Sequence, residues 1–362
     1  MEVLSACSDA ELVGLVDVDL ATARSALAVV GLEHVASGTS LSAVAASTGA
    51  QAVVNVTVPE AHRTVTVEAL FSGLPVLCEK PLAPTVHEGL SLVAASEASG
   101  QLLVVSQTRR YYRTLAAFKA MAGSLGKLGV LTTEFFKAPH FGGFREEMDH
   151  VLLLDMAIHA FDVARYLLDS DPIAVYCDES NPGWSWYASG AAAFAIFEFS
   201  GGARYIYTGS WCSDGYETSW NGRWRVSGER GSALWDGDGE PEVECVPGAP
   251  LPAGPQSTGS VGHEPLEDVE ASLAEFIHGL RTGTTPSCEV HANVLSLVMM
   301  EAAVRSAETR QRVVIDRVLA EAFASALELE RHPAIRQRLA AWPNPVLALR
   351  SGATPRTRSS AR

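Results

Sequence analysis

Residues 75–81 read PVLCEKP, and this stretch decides the fold. A short, wholly apolar run ends directly in Glu79 and Lys80, then stops at Pro81. A strand with no polar alternation is one covered on both faces, which is the habit of parallel sheets flanked by helices. The segments on either side keep the same rhythm. AVVNVTV (52–58) is a strand stopped by Pro59, and EAHRTVTVEALFSG returns as a helix ending at Gly73. Downstream, Thr85 and Glu88 have capping-box spacing and open a helix through VHEGLSLVAASEASG, after which LLVVS (102–106) is the next strand. Upstream, ELVGLVDVD (11–19) is a β-branched run ending in acids, followed by the helical LATARSALAVVG. Alternating strand and helix predicts a doubly wound, parallel α/β domain over residues 1–124, with ligands expected at the carboxyl ends of its strands.

The pattern changes after residue 125. Strands are expected near 128–137, 172–179, 190–199, 203–211, 220–228 and 231–235, with tight links such as SGGA (200–203) that favour antiparallel hairpins. Helices near 265–281 and 290–307 and a strand QRVVI (311–315) close an α+β domain with a mainly antiparallel open sheet, spanning 125–316. The Pro/Gly-rich 246–262 reads as a surface loop. Residues 317–362 read as a helical extension, to about 343, with a disordered basic tail, SGATPRTRSSAR.

Composition narrows the partners. The chain has 362 residues, 47% of them hydrophobic, and a net charge of -15. That charge argues against nucleic acid or an anionic membrane surface. No apolar run reaches the roughly 18 residues of a spanning helix, and the start MEVLSACSDAEL has no basic stretch before an apolar core. Six scattered cysteines without a CxxC suggest a reduced, cytoplasmic protein with no structural metal. DGDGE (236–240) fails the calcium-loop pattern, because Pro241 and Pro247 take the positions of its glycine and closing glutamate.

One helix is unusual. VLLLDMAIHAFDVARYLL (151–168) is amphipathic, yet Asp155 and His159 are four apart and so share a face, with Asp162 near them. A buried pair that satisfies itself, a metal clip and a proton-transfer device are all open to such a helix. Asp17 is an acid at the end of the apolar run LVGLVDVD, where a solvated strand end is one reading.

VNVTVPEAH, ALFSGLPVLCEKPLAPT, LLVVSQTRRYY and LLLDMAIHAFDVARYLL follow one another in an order and spacing that resemble the Gfo/Idh/MocA oxidoreductases, which include glucose–fructose oxidoreductase and inositol dehydrogenase. The likeness runs over about residues 10–316, and the EKP element with a downstream DxxxH helix is its specific part. The resemblance implies an NAD-dependent dehydrogenase acting on a secondary alcohol of a sugar, cyclitol or related polyol. It implies Lys80, Asp155 and His159 as the catalytic set: His159 takes the hydroxyl proton, Lys80 stabilises the alkoxide and disfavours imidazolium, and Asp155 orients. It further implies cofactor contacts at Asp17, Thr57, Pro59, His62, Glu79, Lys80 and Gln107, with Asp17 accepting hydrogen bonds from the adenosine ribose and repelling a 2′-phosphate, which favours NAD over NADP, and it implies a dimer or tetramer built on the second domain's sheet. Arg110, Tyr111 and His140 are expected substrate contacts. Two other activities fit the same residues: a non-catalytic ligand sensor, and an NAD-assisted glycoside-cleaving or lyase enzyme.

Two departures stand out. The family opens with a strand, a GxGxxG loop and a helix, whereas MEVLSACSDA resembles the end of that helix. The first strand is therefore expected to be absent between ELVGLVDVD and AVVNVTV, with about 20–30 residues carrying it expected before Met1. Before Asp155, where the family commonly has a glycine pair, this chain has Asp149 and His150, which should reshape the substrate pocket.

Overall fold

The structure is a computed structural model that describes residues 1–248 and 266–351. The chain divides into two compact units. The first joins Met1–Gln107 to Val269–Val294 and to the residues from Ala322 on; the second comprises Thr108–Asp268 and Leu295–Glu321.

The first unit is built on parallel strands: β1 (Gly14–Val16), β2 (Ala36–Gly38), β3 (Val53–Asn55), β4 (Val76–Glu79) and β5 (Leu103–Ser106). They form two sheets, β1-β2 and β3-β4-β5. Both are parallel, in the registers Gly14↔Ala36, Val53↔Val76 and Val76↔Leu103. β1 and β3 share no ladder, as expected for strands lacking a neighbour between them. Helices Leu20–Val29, Leu41–Thr48, Pro59–Phe71 and Val86–Ser99 make the crossovers. Apolar β5 is buried along its length, and β4 up to Glu79, which is the double coverage their composition predicted. Thr85 caps the helix: its Oγ1 accepts from Glu88 N at 3.4 Å and donates to Glu88 Oε2 at 2.9 Å.

The second unit carries an eight-stranded mixed sheet in the order β12-β11-β10-β6-β9-β8-β7-β13. Its strands are β6 (Leu128–Phe136), β7 (Pro172–Ser180), β8 (Ala192–Phe199), β9 (Arg204–Ser210), β10 (Arg223–Gly228), β11 (Gly231–Trp235), β12 (Glu242–Cys245) and β13 (Val313–Val314). All neighbours are antiparallel except β6 and β9. Residues alternate buried and exposed along β7 to β9, so one face is covered. Phe161, from the helix Ile158–Leu168, packs edge-on against Phe197, Tyr205 and Tyr207 of that face.

Several boundaries differ from the sequence-based expectation. The first unit ends at Gln107, not 124, because the helix Arg113–Ser124 joins the second core through Phe118, whose ring lies 6.1 Å from that of Trp235. Residues 269–294 return to the first unit, where Val105 N donates to Cys288 O at 3.0 Å. The extension from 317 is not a separate domain either. It forms helices Ile315–Leu329, Pro333–Ala340 and Pro345–Ser351, and Arg63 binds Glu330 through two hydrogen bonds of 2.7 and 2.9 Å. The single helix expected over 151–168 begins as a π-turn, Leu152–Ala157, before the α-helix. β12 was not expected. Most of the predicted loop 246–262 and nearly all of the basic tail lie outside the described residues.

Candidate functional site

Four of the expected cofactor positions fall at one edge of the first unit. Thr57 follows β3, Glu79 ends β4 and Lys80 follows it, and Gln107 follows β5, and these strands are consecutive neighbours. Their ends are tied down by side chains. Thr57 donates its hydroxyl to Asn55 Oδ1 at 2.8 Å, and Asn55 Nδ2 in turn donates to His62 O and Thr66 Oγ1. Pro59 opens the helix Pro59–Phe71, where its missing N–H costs nothing. His62 is fully buried, with Nδ1 2.8 Å from Pro81 O and Nε2 2.9 Å from Thr57 O. It therefore lies between the β3 and β4 ends, with the tautomer deciding which carbonyl accepts its N–H, and a ligand contact would have to displace one of these carbonyls. Glu79 and Lys80 are only partly covered.

Asp17 lies just beyond β1, in the other sheet, with Oδ1 accepting from Asp19 N at 2.8 Å. Asp19 caps the helix Leu20–Val29 by accepting from Ala21 N. Val18 beside it is 98% exposed, and Val56 and Val58 after β3 are 71% and 59% exposed. Large apolar groups left bare at strand ends suit the flat rings of a dinucleotide better than they suit water. The left-handed glycines of this unit (Gly31, Gly49, Gly73, Gly100 and Gly283) all follow helices. Among the described residues none leads from a strand into a helix.

In the second unit, Asp155 sits in the π-turn and His159 in the first turn of the helix that follows. Arg145 donates Nε–H to Asp155 Oδ2 at 2.8 Å, a partner that sequence reasoning missed because nothing in the ten-residue separation marks it. The guanidinium is flanked by Phe141 and Phe144. His159 is half-buried and borders a cavity of about 20 Å³ also lined by Arg109, Thr133, Tyr207 and Asn221. Asp162 leaves this group. It is fully buried and receives Arg110 Nε and Nη2 at 2.6 and 2.7 Å and Ser296 Oγ at 2.7 Å, which gives Arg110 a structural role whatever binds nearby. Tyr111 ends the short 3₁₀ turn Thr108–Tyr111 that also carries Arg110. His140 stacks on Trp186 with ring centroids 3.7 Å apart.

Other reactive groups are muted. No disulfide joins the cysteines, and burial pushes the Cys78 and Cys177 thiols up to about 12, so neither is a nucleophile at neutral pH. Among the described residues no cluster of His, Cys, Asp or Glu could hold a metal ion, and no helix is long and apolar enough to cross a membrane.

Residues 1–107 match the oxidoreductase family with an NAD-binding Rossmann fold, and residues 116–234 match the GFO/IDH/MocA C-terminal domain. The chain belongs to the Gfo/Idh/MocA oxidoreductase family. Among its Gfo/Idh/MocA relatives, 1,5-anhydro-D-fructose reductase of Ensifer adhaerens is 27% identical, the match covering 72% of this chain and 78% of that one. Inositol 2-dehydrogenase of Rhodococcus erythropolis is 28% identical, with 76% and 80% covered. An oxidoreductase from Agrobacterium radiobacter, solved with NAD+, L-tartaric acid and magnesium, shares the fold at a TM-score of 0.76 and 19% identity over 88% of this chain and 95% of that one.

Proposed function

We propose that this Gfo/Idh/MocA protein is an NAD-dependent dehydrogenase that oxidises a secondary alcohol of a sugar, cyclitol or related polyol. The observation that carries the reading is the placing of a half-buried imidazole, His159, one turn after an arginine-braced carboxylate, Asp155. An inositol dehydrogenase and a sugar-derivative reductase among the relatives support the substrate class.

Bound NAD supplies the hydride acceptor. Asp17 would hold the adenosine ribose and select against NADP, and Thr57, Pro59, Glu79, Lys80 and Gln107 would hold the nicotinamide half. Oxidation of an alcohol requires its hydroxyl proton to leave with the hydride. The imidazole of His159 takes that proton, because its ordinary pKa lies near working pH. The ammonium of Lys80 stabilises the alkoxide as it forms. Asp155, fixed by Arg145, orients the imidazole or a neighbouring hydroxyl. Tyr111 and His140 are proposed substrate contacts.

Self-association belongs to the same reading. Tyr176 of β7 and Ile196 of β8 are paired in register and exposed, with Phe194 on the same face, and such an apolar sheet surface supports a dimer or tetramer. Buried thiols such as Cys78, Cys177 and Cys212 suit the reducing cytoplasm.

The test is NADH formation with a panel of polyols that includes myo-inositol. Lys80→Ala and His159→Asn should abolish most turnover while the thermal midpoint holds. Bond cleavage without net NADH would assign the lyase activity instead, and binding without turnover would make the protein a sensor.

A further inference from the structure

Four uncommon features meet on residues 149–157 of the second unit. His150 has a left-handed backbone, φ 52°, which costs energy for a residue with a side chain. Its Nδ1 hydrogen-bonds Glu179 Oε2 of β7, and its Nε2 lies 3.5 Å from Glu308 Oε1 of the helix Val290–Thr309. Gly190 makes that pair possible: a Cβ there would fall 2.7 Å from His150 Cα and 2.5 Å from Glu179 Oε1. Two residues later the chain enters the π-turn that carries Asp155.

The turn is anchored to the same two residues. Leu152 N donates to Gly190 O at 3.2 Å, and Leu154 N donates to His150 O at 3.0 Å. A π-turn holds one residue more than an α-turn, so closing it would rotate Asp155 against His159 by about one residue's step, roughly 100°. Whatever keeps the extra residue in place therefore fixes the angle between the two groups.

We propose that His150 is a positioning residue: clamped between Glu179 and Glu308, it holds the left-handed turn that keeps the π-turn open and so sets Asp155 relative to His159. The inference rests on the roles given above to Asp155 and His159.

The clamp is sensitive to pH. The charged groups facing His150 are all acids: Glu179 from β7, Glu308 from the helix and Asp149 from its own turn. The hydrogen bond to Glu179 outweighs burial and raises the imidazole above its ordinary 6.5. Glu179 Oε1 has no hydrogen-bond partner among the described residues, so loss of the proton on His150 removes the positive charge that faces this largely buried carboxylate. The clamp is complete below pH 6.5 and is lost as pH rises through the raised value.

Amide hydrogen exchange on the full chain, followed by mass spectrometry for a peptide spanning 150–158, tests this without any substrate. Protection, corrected for intrinsic rates, should fall roughly tenfold in that peptide as pH rises through the transition, with the rest of the unit unchanged. His150→Asn accepts the left-handed backbone but carries no titratable charge, so its protection should no longer depend on pH. Glu179→Gln should flatten the response too, and it serves where the histidine variant fails to fold. An identical pH response in the wild type and His150→Asn, or a loss spread evenly over the second unit, would overturn the proposal. A clamp that behaves as expected in a protein that turns nothing over would defeat the dehydrogenase reading and leave the clamp standing.

Discussion

Arg145 donates to Asp155 across 2.8 Å while its guanidinium carbon lies 4.9 Å from the ring of Phe144 and 5.3 Å from that of Phe141. The arginine is 37% exposed, so the pair adds little to stability, on the order of 0–1 kcal/mol. Its worth is orientation. Arg145→Met keeps the bulk between the rings but removes the donor, and kcat/KM for the polyol substrate should fall about tenfold with an unchanged thermal midpoint. Arg145→Lys should recover only part, since an ammonium cannot reproduce the planar Nε–H. A variant with full activity would show that Asp155 orients without help.

The Arg110–Asp162 pair should behave in the opposite way. Both partners are buried, and Asp162 is also bonded by Ser296. Asp162→Ala leaves a cation uncompensated and should cost about 3–5 kcal/mol, read as a lower urea midpoint. Arg110→Met should cost a similar amount, and the double variant less than the sum. Additive losses would mean that the two groups do not act as a pair.

Cofactor choice is expected to turn on Asp17. Asp17→Ser removes a ribose acceptor and a negative charge, so the ratio of kcat/KM for NAD over NADP should drop. An unchanged ratio would leave Asp17 as a solvated acid at a strand end.

Stability should depend on pH through His291 and Glu97. Burial would lower His291, but hydrogen bonds to Glu289 and Glu97 prevail and raise it from 6.5 to about 9. Its contribution is full below pH 6.5 and disappears as pH rises through about 9. Burial would raise Glu97, but bonds from His291, Arg338 and Trp342 hold it near 2, so its contribution is full above 4.5 and disappears as pH falls through about 2. The thermal midpoint should therefore be flat from pH 4.5 to 6.5 and decline on both sides. His291→Gln should make the alkaline decline shallower, leaving the part that belongs to His150; an unchanged decline would mean that another group governs it.

The sequence carried the strand ends and the sheet class because both depend on local pattern. PVLCEKP announces a buried strand with two charges at its end, and the alternation along β7 to β9 announces a sheet with one covered face. Spacing alone put Asp155, His159 and Asp162 on one helix face. It could not foresee that Asp162 is consumed by Arg110, 52 residues away in sequence, or that a π-turn intervenes. That turn depends on His150 meeting Glu179 and on the room left by Gly190, and such long-range contacts leave no local mark. The assembly of the first unit from separate stretches of the chain was hidden for the same reason.

The discontinuity of that first unit matters on the ribosome. Its strands are made first, yet Glu97 waits for His291, Arg338 and Trp342, and Arg63 waits for Glu330. At about 5–20 residues per second, roughly 10–40 s separate the synthesis of Gln107 from that of Ala322. Through that interval the nascent domain exposes helix surfaces that only the chain's last helices cover. The half of the molecule that is born first is finished last, and its exposure to chaperones and proteases is set by the speed of translation over the second unit.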